Sequence, residues 1–443
     1  MYTISVSHYT TESFFLQPLL GKNSVKREIS SFIQIFPFTK ENFMSVTGII
    51  AEFDPFHRGH YYLLQQARQL DPSAPVVVAL SGHFTQRGSP AALRPHARTE
   101  MALRCGADLV VELPLPWAIS SAEGFGFGGV DLLAAAGVTR LVFGSEHGDT
   151  EALHQVTACL HKEEYQAALK QALGTGISFA AARQRAVSAL LGEELGSLLA
   201  GANNLLGISY LAAIHRLGLD MEVQTVQRVG AAHNAPLSQE GFSSASAIRQ
   251  LLQGGSLAQG LEQLPEEARP ILQREWEQGF TPAALGNCER AVLYRLRMMK
   301  PEDFLALPDC SEGLENRLFR AAQQATSLEE FFSLAKSKRY AHSRLRRLCL
   351  WAWLGMTAQD RPERVPYVRV LGMTDRGREV LRQMKKTCPL PVITKPAAGK
   401  KLPPEARRLF ELEMQGADLW RLCLPQLTHS QGGSGWVTST VIL

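Results

Sequence analysis

Four short apolar runs, each handed on to a helical stretch, most constrain what this chain can fold into. They are Gly48-Ile49-Ile50-Ala51, Val76-Val77-Val78-Ala79-Leu80, Leu109-Val110-Val111 within residues 108–113, and Leu141-Val142-Phe143 after Arg140. Runs without polar alternation are the pattern of strands covered by helices on both faces. Between them, residues 61–70 put Leu63, Leu64, Ala67 and Leu70 on one helical face. Residues 98–105 read as a helix stopped near Gly106, and residues 130–136 as another. Strands and helices alternating at this spacing predict an α/β fold with a doubly wound, Rossmann-like parallel sheet. Ligands of such sheets sit beyond the carboxyl ends of the strands. The segments expected there are 52–60, 81–88, 114–128 and 144–148, all rich in Gly, His or Ser.

The remainder is mostly helical. Residues 151–200 are Ala- and Leu-rich, a short strand is expected over 221–226, and Gln253-Gly254-Gly255 reads as a boundary. The expected organisation is an extension over 1–43, an α/β domain over 44–252, a mainly α-helical domain over 256–430 and a mobile tail over 431–443. Short strands fit 365–371 and 390–394 within the helical part. The first clean strand begins just after Met44, so the extension reads as dispensable or as a start-site error. A chain with 46 basic and 42 acidic residues carries +4, so any nucleic-acid surface must be local. No apolar run approaches the roughly 18 residues needed to span a bilayer. The seven cysteines show no Cys-x-x-Cys spacing, which excludes a zinc ribbon, argues against a disulfide framework and fits a reducing cytoplasm.

Chemistry concentrates at Asp54-Pro55-Phe56-His57-Arg58-Gly59-His60, where the first strand turns into the first helix. Two histidines three apart are expected on one helical face. A helix N-terminus offers unpaired N–H groups and partial positive charge to a phosphate. Gly59 allows close approach of a nucleotide. The imidazoles would then hydrogen-bond phosphate oxygens as charge builds at the α-phosphorus. Two plainer readings stay open: a metal-binding His-x-x-His, for which spacing shows no third ligand, and a structural N-cap.

His57-x-Gly59-His60 after a first strand resembles the His-x-Gly-His signature of nucleotidyltransferases. Ser243-Ser244-Ala245-Ser246-Ala247-Ile248-Arg249 resembles their second phosphate motif, with Ser244, Ser246 and Arg249 as its phosphate-binding residues. Five blocks then narrow the resemblance: the run from Gly48 to His60, Ser81-Gly82-His83-Phe84-Thr85-Gln86-Arg87-Gly88, Phe143-Gly144-Ser145-Glu146, Asn203-Asn204-Leu205-Leu206-Gly207-Ile208 and Gln227-Arg228-Val229-Gly230. With Glu312-Gly313-Leu314-Glu315-Asn316-Arg317 in the second half, they resemble the bacterial tRNA(Met) cytidine acetate ligase family. Two positions depart from it: Asp54, where Asn is expected, and Ala232-His233-Asn234.

The resemblance implies a ligase that uses ATP to convert acetate to acetyl-adenylate. It then acetylates N4 of the wobble cytidine of elongator tRNA(Met), releasing AMP and pyrophosphate. It makes 44–252 the ATP-binding domain, with His57 and His60 catalytic. The implied ATP contacts are Ile50, Ala51, Glu52, Phe53, Asp54, Pro55, Phe56, His57, Arg58, Gly59, His60, Tyr61, Tyr62 and Leu63, together with Gly144, Asn203 and Arg228. Ser81, Gly82 and His83 lie beside the first motif and are candidates to line the acetate pocket, with a turn-forming Gly as the rival reading. Magnesium accompanying ATP is expected on charge grounds, without a visible protein ligand set.

Lys336, Lys338, Arg339, Arg344, Arg346 and Arg347 fall within twelve residues that hold no acid, interleaved by Tyr340 and His342. A charge run is usually a solvated face. Beside an adenylating domain it reads as a tRNA-binding face, with the aromatics stacking on an unpaired base. Leu345, Leu348 and Leu350 read as core. The alternatives are a small-molecule adenylyltransferase and a non-catalytic RNA-binding protein that keeps a nucleotide fold.

Overall fold

The computed structural model describes residues 45–228, 242–311, 313–337 and 340–443. The expected extension over 1–43 lies outside the described residues, as do Lys338, Arg339, Val229-Gly230 and Ala232-His233-Asn234. Residues Ser45–Leu443 form one compact unit. Its strands are β1 (Thr47–Ala51), β2 (Val76–Ser81), β3 (Phe84–Thr85), β4 (Ser89–Pro90), β5 (Leu109–Leu113), β6 (Arg140–Ser145), β7 (Glu222–Gln227), β8 (Val368–Met373), β9 (Val392–Ile393) and β10 (Val441–Ile442). The helices that matter below are α1 (Arg58–Leu70), α2 (Pro95–Arg104), α3 (Ala122–Ala135), α4 (Ala202–Leu217), α5 (Ala245–Gln253), α6 (His342–Trp353) and α7 (Pro404–Arg421).

The sheet runs β10-β8-β5-β2-β1-β6-β7, with β9 on β8, and β3 and β4 form a separate hairpin. From β7 to β5 all pairings are parallel, as expected. Strand alternation sorts the apolar runs between two cores. Val76, Val78 and Leu80 pack with Leu64, Ala67 and Met101 of α1 and α2. Val77 and Ala79 pack with Val130, Leu133, Ile208 and Leu211 of α3 and α4. Helix α2 begins at Pro95, three residues before the expectation, because proline suits a first helical turn. Helix α3 begins at Ala122, eight residues early. Ser121 caps it, and the glycines that suggested a ligand-lining loop let it lie close: a Cβ on Gly129 would sit 2.7 Å from Ile50 Cδ1 of β1.

The second half departs from the expected helical domain over 256–430. A third core, with Leu293, Leu314, Phe331, Leu345 and Trp351, holds the helices up to α6. The chain then returns to the sheet. Strand β8 pairs antiparallel with β5, its residue Arg369 opposite Glu112. The expected mobile tail over 431–443 is also built in. Val441 and Ile442 pair with Gly372 and Met373, and Trp436 stacks edge-on to Phe410 at 5.6 Å. β-branched residues facing an open strand edge supply the reason.

Candidate functional site

Strand β1 lies between β2 and β6, and the chain leaves β1 towards β2 and returns to β6 from the other side. The loops after β1 and β6 therefore diverge and open a crevice, where open α/β sheets bind ligands. After β1 the backbone turns through Phe53, whose φ of 48° is left-handed. Its buried ring packs 4.9 Å from both Phe56 and His60, which fixes the turn from below. His57 is not on the helix, as expected from spacing, but caps it. Its Nδ1 accepts from Gly59 N–H at 3.0 Å, and His60 Nδ1 accepts from His57 N–H at 3.3 Å. The two rings stack with centroids 3.7 Å apart.

This reciprocal cap fixes Nδ1 of each ring as an acceptor. A neutral imidazole that accepts at Nδ1 carries its proton at Nε2 and donates there. Burial, with the neighbouring His57 ring and the Arg228 charge adding to it, pushes the His60 pKa well below the ordinary histidine value. His60 is thus a neutral donor at pH 7. The cap reading is borne out, since each ring uses its Nδ1 to accept a backbone N–H at the start of α1. Side chains of Ile50, Ala51, Phe53, Phe56 and Leu63 belong to the cores, which leaves mainly backbone for any ligand at this stretch. Arg58 is exposed, and Gly59, Tyr61 and Tyr62 are half-buried.

The opposite wall follows β6. Gly144 faces Arg228, and a Cβ there would lie 3.4 Å from Arg228 Cγ. Asn203 does not point a free amide into the crevice. Its Nδ2 and its N–H both donate to Glu146 Oε1, at 2.6 and 3.0 Å, and Asn204 N–H donates to Oε2 at 2.8 Å. Burial would raise the Glu146 carboxyl, but these hydrogen bonds outweigh it and hold the group below the usual range. Asn204 Oδ1 in turn accepts from Ser145 Oγ at 2.7 Å and Glu146 N–H at 3.0 Å. Burial lowers the Arg228 pKa and Glu146 opposes that, so Arg228 stays a cation beside the imidazoles. Glu146 and Asn204 were missed as site residues; the Asn203-Asn204 doublet at a helix start was their signal.

The second phosphate motif reaches the first. Ser244 caps α5, accepting from Ala247 N–H at 3.2 Å. Arg249 donates to Asp54 O at 2.5 Å and to Ser246 Oγ at 3.0 Å. Ser81 ends β2, its buried Oγ without a hydrogen-bond partner among the described residues. Gly82 abuts the Glu112 carboxylate. His83 is neutral through burial, with the Arg369 charge adding to the effect, and its ring packs 5.4 Å from Trp420. Arg98 is the third missed residue. It is fully buried and donates to Glu52 O at 2.5 Å, to Leu93 O at 3.0 Å and to Gly82 O, so it ties the loops after β1 and β2 together. A lone Arg among Ala, Thr and Met on a buried helix was its signal. Among the described residues no group of three or more His, Cys, Asp and Glu is arranged to hold a metal.

The basic run is divided by the fold. Lys336 and Arg346 are exposed. Arg344 donates to Asp309 O at 2.9 Å and lies 5.3 Å over Tyr340, while Arg347 donates to Gln86 O at 3.4 Å. Tyr340 is buried at 7% exposure, so it is not the stacking platform expected from sequence; the ring anchors the start of α6 to the core. Leu345, Leu348 and Leu350 are core, as expected. The β3–β4 hairpin lies directly on α6: a Cβ on Gly88, whose φ is 78°, would come within 2.5 Å of Arg347 N. The basic helix is thereby joined to the loop after β2.

Comparison with known proteins now bears on this crevice. Residues 44–434 match the model of the HIGH Nucleotidyl Transferase family. A tRNA(Met) cytidine acetate ligase from Thermoanaerobacter sp. is 36% identical over 389 residues, 86% of this chain and 95% of that one. The chain belongs to the tRNA(Met) cytidine acetate ligase family. A second member, from Thermotoga maritima, is 35% identical over 402 residues, 86% of this chain and 96% of that one. The crystal structure of Thermotoga maritima TmcAL in its apo form aligns with a TM-score of 0.86 at 33% identity, over 90% of this chain and all of that one. The same protein bound with alpha-thio ATP aligns with a TM-score of 0.83 at 34% identity. Against this ligase family, Asp54 stands where Asn is expected. Its Oδ1 accepts from Ala92 N–H at 2.6 Å and its Oδ2 lies 3.5 Å from Arg249 Nη1, so the added charge is neutralised within the site. Among the described residues no single helix is long and apolar enough to cross a membrane.

Proposed function

We propose that the protein is an ATP-dependent ligase that activates acetate as acetyl-adenylate and transfers the acetyl group to N4 of the wobble cytidine of elongator tRNA(Met). The observation that carries this reading is the reciprocal His57–His60 cap at the switch point, with Arg228 beside it. The triphosphate lies over the start of α1, beside the His57 and His60 rings, where the helix end carries partial positive charge. Gly144 gives the adenosine backbone-level access, and Arg228 and Arg249 supply the positive charge. Acetate attacks the α-phosphorus and pyrophosphate leaves. Positioning and charge stabilisation do the work, with no covalent step on the protein.

Support for the RNA half is the cationic face at Lys336 and Arg346, joined to the nucleotide loops through the hairpin. Lys338 and Arg339 are tRNA-binding residues too in this reading. Magnesium travels with ATP as its counter-ion. The test is incubation with ATP, labelled acetate and tRNA, followed by digestion to nucleosides. Labelled N4-acetylcytidine with stoichiometric AMP and pyrophosphate is expected. Pyrophosphate release without acetate would favour a small-molecule adenylyltransferase, and tRNA binding without ATP consumption a non-catalytic module.

A further inference from the structure

Acetyl transfer needs a group that nothing so far supplies. The exocyclic amine of cytosine is conjugated with its ring and is a poor nucleophile while it keeps both protons. A base must stand where the acyl group and the RNA meet. Most candidates at the crevice are committed elsewhere. His57 and His60 use Nδ1 in the cap. Asp54 is 3% exposed and is engaged by Ala92 N–H and Arg249. Glu146 takes the N–H groups of Asn203 and Asn204, and Glu112 is ion-paired with Arg369 at 2.6 Å.

Glu52 remains, at the carboxyl end of β1 and five residues before His57. It is half-buried rather than sealed. Gln86 N–H donates to its Oε1 at 2.6 Å, which aims the carboxylate, and Arg98 holds its backbone carbonyl. The same Gln86 accepts from Arg347 of α6 through its carbonyl. A single residue therefore spans the distance from this carboxylate to the basic helix.

We propose that Glu52 is the general base of acetyl transfer, taking a proton from the cytidine N4 amine as that nitrogen attacks the acetyl carbonyl. The N4–C bond forms, and the bond between the acetyl carbon and the phosphate oxygen breaks. AMP leaves with the electron pair, and the proton rests on Glu52 until water removes it. The surroundings suit the task. Burial raises the Glu52 pKa, the Gln86 hydrogen bond lowers it, Asp54 raises it, and Arg87 and Arg249 lower it; the balance is upward. Arg98 from α2 and the Tyr210 hydroxyl from α4 also face it. A carboxylate moved towards neutrality is a stronger base at the working pH.

This inference rests on the acetyl-transfer reading, so the test separates the two. Full-length wild type, Glu52→Gln and Glu52→Asp are compared in acetate-dependent ATP–pyrophosphate exchange without tRNA. They are also compared in single-turnover transfer from synthetic acetyl-adenylate to tRNA(Met). Glu52→Gln should slow transfer at least ~100-fold, with exchange falling less than a tenth as much. Its transfer rate should lose the acid limb of the pH profile, and Glu52→Asp should recover part of it. Transfer by Glu52→Gln within threefold of wild type, or equal losses in both assays, would overturn the assignment. If wild type itself transfers no acetyl group, the functional reading fails and this inference falls with it.

Discussion

In the proposed function the imidazoles of His57 and His60 both cap α1 and meet the triphosphate, and substitution can separate the two duties. Asparagine retains an acceptor for a backbone N–H but cannot place a donor where Nε2 stands. His57→Asn and His60→Asn should each lower acetate-dependent pyrophosphate exchange by ~10²–10³-fold, the usual cost of losing one charge-stabilising donor. tRNA binding, followed by filter retention, should stay near wild type, and equal loss of both would assign the pair to folding alone. Gly82 makes a second case. Its missing Cβ is occupied by the Glu112 carboxylate, itself paired with Arg369 inside the protein. Gly82→Ala should cost ~1–3 kcal/mol by overpacking, read as a lowered denaturant midpoint. An unchanged midpoint would mean that Glu112 is free to move. At this scale the His motif was legible because residue types and spacing state it. Arg98 and Glu146 were not, because their roles come from carbonyls and N–H groups brought together from loops and a helix elsewhere in the chain.

At the scale of elements, the parallel strands could be read from their unbroken apolar runs, and β8 to β10 could not be placed. Nothing local to residues 368–373 tells that they will pair with β5 across more than 250 residues of intervening chain. The same holds for α6. Its cations are visible in sequence, but their division into tethered and exposed is set by Asp309 and the hairpin. Arg344 and Arg347 hold carbonyls, so their substitution mixes stability with binding. Lys336 and Arg346 are exposed and give the cleaner test. The double variant Lys336→Glu, Arg346→Glu should weaken tRNA binding and reduce the slope of log K against log salt by about 2, near 0.9 for each phosphate no longer neutralised. A titration from low to moderate salt measures it. A parallel downward shift without a change in slope would place these cations off the RNA.

For the whole molecule, the return of the chain to the sheet buries one acid too many. Glu112 and Arg369 sit opposite each other on β5 and β8 and neutralise one another. Glu413 of α7 joins them, buried, with Leu115 N–H on its Oε1 at 3.2 Å. Burial, with the Glu112 charge adding to it, pushes the Glu413 carboxyl up to about 8, against 4.5 in an unfolded chain. The fold therefore prefers the protonated acid. Its contribution to stability is fully present below about 4.5, declines as the pH rises, and is gone above about 8. Glutamine keeps the carbonyl that accepts from Leu115 and never ionises. The melting temperature of Glu413→Gln should therefore approach or trail that of wild type at pH 5 and exceed it by several degrees at pH 9. The difference between the two proteins should grow through the interval between those pKa values. A constant difference across that range would mean that Glu413 is already ionised in the native state. Glu112 also abuts Gly82 at the end of β2, so ionisation of Glu413 acts on the closure of the molecule and on a loop of the nucleotide crevice together. Loss of activity at alkaline pH should then be partly relieved in Glu413→Gln.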